Sequence, residues 1–131
     1  MERDTVIVVG FGFRGGAALA SLQDVLERAL AAAGHPAPQA LATESAKSRA
    51  PVFRELSTLM RLPGLGVRQE DIAQMITPTQ SQRILDRFGT GSLSEAAALV
   101  TAGPGAELLA ARVVSGDGMA TAAIAALKGD L

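Results

Sequence analysis

Residues Thr5 to Gly16 read TVIVVGFGFRGG, and the interpretation of this stretch decides the fold. Val6, Ile7, Val8 and Val9 form an unbroken β-branched run, which suits a strand covered on both faces rather than one half exposed to water. The run is expected to stop at Gly10. Beyond it, Gly10, Gly12, Gly15 and Gly16 allow a tight turn and the close approach of a ligand to the main chain. Ala17 to Ala33 then has helical periodicity, with Leu19, Leu22, Leu26, Ala29, Leu30 and Ala33 on one side and Gln23, Asp24, Glu27 and Arg28 on the other. A strand, a glycine loop and a helix in succession bring unpaired N–H groups and the positive end of the helix dipole to the top of the first strand, a setting that attracts anions. Arg14 adds a permanently charged planar fork suited to carboxylate or phosphate.

The same loop matches a dinucleotide fingerprint, Gly10-x-Gly12-x-x-Gly15. In that fold an acid follows after about 20 residues to hold the ribose. Glu44 is the nearest candidate and stands later than that.

Composition narrows the alternatives. A chain of 131 residues fits one domain spanning 1–131, large enough to bury a core without crosslinks. The absence of cysteine excludes disulfides, thiolate metal sites and thiol nucleophiles, and the single histidine, His35, cannot build a metal centre. Twelve basic against thirteen acidic residues leave no general basic excess for nucleic acid. Four phenylalanines, with no tryptophan or tyrosine, supply few stacking platforms for bases. No apolar run approaches the roughly 20 residues needed to cross a bilayer. Glu2, Arg3 and Asp4 lead straight into the first strand, unlike a secretory leader, so a cytoplasmic protein with no membrane partner is expected.

Past the first helix, Gly34 can serve as a left-handed cap, and Pro36 and Pro38 block continuation. Gln39 to Thr43 is expected as a second strand, parallel to the first. The corner Thr43-Glu44-Ser45-Ala46-Lys47-Ser48 then lies on the same edge as the glycine loop, because both follow the carboxyl ends of neighbouring strands. Pro51 opens a helix with Val52, Leu56, Leu59 and Met60 on one face. Leu65 to Val67 reads as a very short third strand and Gln69 to Met75 as a brief helix. Thr79 and Gln82 have capping-box spacing for a helix ending at Phe88, and Ser92 and Glu95 for the next one. Thr90 is left free to meet a ligand. Two closing strands, Leu108 to Val114 and Met119 to Ala126, flank Ser115-Gly116-Asp117-Gly118, a loop short enough to require antiparallel pairing. Lys128 to Leu131 is expected to fray. The expected architecture is a single three-layer α/β domain, its mixed sheet starting with a parallel β-α-β unit and ending in an antiparallel hairpin.

With these pieces placed, the chain resembles the C-terminal domain of the cobalamin-biosynthesis protein CbiG and its free-standing form, CobE. Three motifs in order carry the resemblance: VGFGFRGG, LATESAKSRAP and FGTGSLSEAAAL, followed by the hairpin ending VVSGDGMATAAIA. In the family's loop pattern Gly10, Gly12, Arg14 and Gly16 match, whereas Phe13 replaces a cysteine and Gly15 a second arginine. Thr43 and Lys47 match in the second motif, and Gly89, Thr90, Ser92, Glu95 and Ala96 in the third.

The resemblance implies work on corrinoid or precorrin intermediates, as a binding, carrier or accessory protein or as an enzyme of an unassigned step. Other cobalamin-biosynthesis enzymes are implied as possible partners, and no resident cofactor. Ligand-binding candidates are Gly12, Arg14, Gly15, Gly16, Thr43, Lys47, Thr90 and Ser92; no catalytic pair of nucleophile and base stands out. Corrin precursors carry acetate and propionate arms around an apolar ring, so separated cations beside an aliphatic floor suit them. Two alternatives stay open, a small nucleotide-binding module and an interaction subunit of a biosynthetic complex.

Overall fold

The β-branched run does lie between two neighbours. In the computed structural model, which describes residues 5–129, the strands are β1 (Thr5–Phe13), β2 (Ala40–Glu44), β3 (Gly64–Val67), β4 (Glu107–Val114) and β5 (Ala120–Lys128). They form one sheet in the order β3-β2-β1-β5-β4. β1, β2 and β3 pair in parallel, while β5 runs antiparallel to both β1 and β4. The helices are α1 (Leu19–Ala32), α2 (Ser45–Ser48), α3 (Pro51–Met60), α4 (Gln69–Ala73), α5 (Gln82–Phe88) and α6 (Leu93–Ala102). The mixed α/β sheet and its closing hairpin are those expected.

One expectation fails at the centre of the fold. β1 does not stop at Gly10 but continues to Phe13, with Gly10 opposite Ala123 and Phe13 opposite Ala120 on β5. Alternation along the strand sends Ile7, Val9, Phe11 and Phe13 to one face, against Leu22, Val25, Leu26 and Ala29 of α1 and Phe53 and Leu56 of α3. Phe11 meets Phe53 edge-on at 6.0 Å between ring centroids, and Phe13 stacks on Phe53 at 6.3 Å. Val8 faces the opposite way, where Ala96, Ala97, Ala98 and Ala102 of α6 cover the sheet.

Gly10 shares that second face. A Cβ there would lie 2.1 Å from the carbonyl oxygen of Ser94 and 2.6 Å from the nitrogen of Ala98. The glycine therefore admits the backbone of α6, and the alanines of the helix complete a close helix-to-sheet contact. Its role is packing, not the approach of a ligand.

Other boundaries move for local reasons. α1 begins at Leu19 rather than Ala17, because Ala17 N–H closes a turn onto the Arg14 carbonyl. β2 is shifted one residue onward and includes Glu44. Gly34 adopts the left-handed conformation expected of it, with φ of 84°. In α3, Phe53 takes the buried position expected of Leu59, which is exposed. α4 ends at Ala73, short of Met75. The Thr79–Gln82 capping box does not form. α5 starts after Ser81, without a side-chain cap, since Thr79 is engaged elsewhere. β4 gains Glu107 and β5 runs Ala120–Lys128, so Lys128 pairs with Thr5 instead of fraying. The remainder of the expected tail, 130–131, and the leading segment 1–4 lie outside the described residues. Among the described residues no helix is long and apolar enough to cross a membrane.

Candidate anion-binding cleft

The parallel strands end on one edge of the sheet. Because β5 opposes β1, the turn Ser115–Met119 falls on that edge too. α6 also starts there, since Leu93 stands over Gly12 while Ala98 stands over Gly10, further down the strand. A cleft of about 380 Å³ opens between these parts, a volume suited to small-molecule recognition. Phe13, Ile84, Phe88, Leu93 and Met119 give it apolar walls, and Arg14, Lys47, Arg83, Arg87 and Arg112 line it as well. Five of the chain's twelve basic residues thus share one cleft, and among the described residues no aspartate or glutamate lines it.

Lys47 marks a boundary. It lines both this cleft and an adjoining one of about 470 Å³, which has a largely apolar border of Ala17, Ala46, Ala50, Pro51 and Val52. Phe13, Gly15 and Arg87 belong to both openings. The short helix α2 fixes Lys47, because the Glu44 carboxylate accepts from the backbone N–H groups of Ala46 at 3.0 Å and Lys47 at 3.3 Å. Its ammonium donates to the Phe13 carbonyl at 2.6 Å and stands 5.0 Å from the Phe13 ring. The Phe88 ring centroid lies 6.0 Å from the same ammonium and 5.2 Å from the Arg87 guanidinium, so one aromatic ring tempers two like charges. Partial burial, and then Arg87, push the Lys47 ammonium below the usual lysine range, against a smaller pull from Glu44; Arg83 adds a weaker push still.

The hairpin turn is pinned from beneath. Asp117 accepts from the hydroxyls of Ser115 and Ser21 and from Met119 N–H. Those donors, hydroxyls first, hold its carboxyl down at about 2. Asp24 on α1 accepts from Gly116 N–H at 2.8 Å and from Arg28. The turn therefore sits on α1 and presents Gly118 and Met119 to the cleft.

Of the sequence-derived candidates, Gly12, Arg14, Gly15 and Lys47 line the cleft. Gly16 is exposed beside it, with Met119 as its neighbour. The three hydroxyl residues turn inward. Thr43 is fully buried and donates to the Phe11 carbonyl at 2.9 Å, joining β2 to β1. Thr90 donates to the Met75 carbonyl at 3.1 Å, and Ser92 caps α6 by accepting from Glu95 N–H. None of the three lines either cleft. Glu44, the candidate ribose acid, spends both carboxylate oxygens on the α2 cap.

Sequence reasoning missed Arg83, Arg87 and Arg112. A signal existed for two of them: Arg83 and Arg87 are four apart on one helix, a like-charge spacing that weakens an isolated helix unless something else uses it. Arg112, alone in a strand, carried no such mark.

Fold and cleft define a small α/β domain with a cationic recess at the carboxyl edge of its parallel strands. Residues 7–125 match the family described as Cobalamin synthesis G C-terminus, and the chain belongs to that CbiG C-terminal family, which includes cobalamin biosynthesis proteins of the CobE type. Among solved structures it is similar to CobE, a protein from the cobalamin (vitamin B12) biosynthetic pathway, at 28% identity and a TM-score of 0.84, covering 97% of this chain and 94% of that one. It is also similar to the cobalamin biosynthesis protein chiG from Agrobacterium tumefaciens str. C58, at 36% identity and a TM-score of 0.71, covering 92% and 97%. A cobalamin biosynthesis protein G homolog from Sulfolobus solfataricus shares the fold at 16% identity and a TM-score of 0.67, with 95% of this chain covering 38% of that longer one. None of the curated proteins searched matches the chain.

Proposed function

We propose that this protein binds a corrin-ring intermediate of cobalamin biosynthesis by the carboxylates of its side arms, with Arg14, Lys47, Arg83, Arg87 and Arg112 as the holders. The observation that carries this reading is the sign of the cleft: five cations and, among the described residues, no lining carboxylate, set around phenylalanine, leucine and methionine. A ligand that satisfies it is apolar in the middle and anionic at several points of its rim. Each charge-assisted bond is worth about 1.5 to 3 kcal/mol, so a few such contacts account for tight binding. Family membership and the pathway named for the similar structures support the same ligand class. The nucleotide alternative is weakened by Gly10, which packs on α6, and by Glu44, whose oxygens are engaged in a cap.

Titration with hydrogenobyrinic acid, followed by its visible absorbance, tests the proposal. Saturable binding is expected, with much weaker binding of cobinamide, whose arms are amides, and none of NAD or ATP. Arg14 is exposed on the loop after β1, so Arg14→Ala is expected to lower the affinity at least about tenfold, the loss of one charge-assisted bond, without unfolding the domain. Failure of hydrogenobyrinic acid and of earlier precorrins to bind saturably would overturn the reading.

A further inference from the structure

Beneath the cleft lies a carboxylate that the binding proposal does not use. Glu95, in the first turn of α6, is fully buried. In a capping box its side chain would return to the N–H of Ser92, but here only half of that box exists, the Glu95 N–H donating to Ser92 Oγ at 3.3 Å. The carboxylate instead accepts from Thr79 N–H at 2.9 Å on Oε1, and from Thr79 Oγ1 and Arg112 N–H, both at 2.8 Å, on Oε2. Among the described residues it makes no ion pair. A buried carboxylate is costly unless its oxygens are hydrogen-bonded, and here neutral donors from two distant segments perform that task.

Those segments carry cations of the cleft. Thr79 leads into α5, which bears Arg83 and Arg87, and Arg112 belongs to β4. The Arg112 N–H is available because the β4–β5 ladder slips between Ala110, opposite Ile124, and Val113, opposite Ala122. Three steps on β4 there meet two on β5, which is a bulge. We infer that Glu95 is a positioning residue for the cleft: it ties the approach to α5 and the bulge of β4 to the start of α6, and so sets where Arg83, Arg87 and Arg112 stand relative to one another. The inference rests on the reading of the cleft as a polycarboxylate site.

Glu95→Gln keeps the side-chain volume and removes one acceptor. Whichever way the amide turns, its NH₂ faces either Thr79 N–H or Arg112 N–H, two donors opposed, and one tie is lost. Affinity for hydrogenobyrinic acid is expected to fall about tenfold in protein verified as fully folded by circular dichroism, a size seen for coupled neighbours. A double-mutant cycle separates positioning from general support. Glu95→Gln is expected to be non-additive with Arg112→Ala and additive with Arg14→Ala, which lies across the cleft on the loop after β1. Parent-like affinity of folded Glu95→Gln, or equal additivity with both partners, overturns the inference. Should Glu95→Gln fail to fold, Thr79→Val removes one donor alone; it is expected to weaken binding in the same direction, with Thr79→Ser restoring it, and parent-like binding of Thr79→Val overturns the inference. If the parent binds no corrin, the polycarboxylate reading falls while the geometric claim still answers to NMR: Glu95→Gln is expected to shift the side-chain Nε–H resonances of Arg83, Arg87 and Arg112 and leave that of Arg14 in place, and unchanged resonances overturn it.

Discussion

Gly10→Ala is the perturbation that best separates a packing glycine from a ligand-loop glycine. The added methyl would begin 2.1 Å from the Ser94 carbonyl oxygen, 2.6 Å from the Ala98 nitrogen and 2.9 Å from the Ala98 Cβ. Restoring ordinary contact at about 3.5 Å requires α6 to retreat by more than about 1 Å. The nearest atoms are helix main chain and cannot rotate aside, so the retreat also loosens Ala96, Ala97 and Ala98 from the sheet. Overpacking typically costs about 1–3 kcal/mol, and two main-chain clashes place this case near the upper end, about 3 kcal/mol. For a domain of this size each kcal/mol lowers the midpoint by roughly 3–5 °C, giving a drop of roughly 10 °C. Thermal and urea unfolding followed by circular dichroism measure it. Gly15→Ala is the control, since a Cβ there meets nothing within 4 Å, and it is expected to melt with the parent. A Gly10→Ala protein with the parent's midpoint that has lost only corrin binding would refute the packing argument and restore the fingerprint reading.

Two further expectations concern charge. Partial burial first, and then Arg87, hold the Lys47 ammonium below the usual lysine value of 10.5, so its charged form is disfavoured in the fold; stability is expected to rise as pH climbs from the lowered folded value toward 10.5, and Lys47→Met to flatten that rise in urea melts at alkaline pH. With no tyrosine or cysteine and Lys128 as the only other lysine, few groups compete in that window. Asp117 gives a slope of the same sign at low pH, but there the fold favours the charged form: its folded pKa of about 2 lies below the usual 3.8, so its contribution is fully present above 3.8 and is lost as pH falls through about 2. Asp117→Asn is therefore expected to be less stable than the parent at neutral pH, with the gap closing on acidification over that range; a gap that persists at pH 1.5 would refute the hydrogen-bonding account of the turn.

How much of this was legible beforehand depends on how local the cause is. Ile7 to Val9 announced a covered strand, although Val6 at the head of the run is exposed, and Ser115-Gly116-Asp117-Gly118 announced a hairpin, because both signals reside in adjacent residues. Gly10 misled for the converse reason. A glycine that ends a strand and one that makes room for a helix much later in the chain look alike until the helix is in place. Thr43, Thr90 and Ser92 stood at the right corners, but sequence does not tell which way a hydroxyl at a strand end turns, and the nearest unsatisfied carbonyl or N–H decided it. Arg14 and Lys47 were readable as cations on neighbouring turns. Their partners Arg83, Arg87 and Arg112 arrive from α5 and from a bulged edge strand, and only tertiary structure brings those pieces together.

The crowding of like charge around Phe88 has a practical corollary. Guanidinium and ammonium groups held this close oppose the folded arrangement, and any anion that settles among them removes part of that opposition while binding only the native form. Resistance to heat or to a protease thereby becomes a gauge of occupancy: candidate guests can be ranked by how much they harden the domain, without a label and without knowing the reaction they serve.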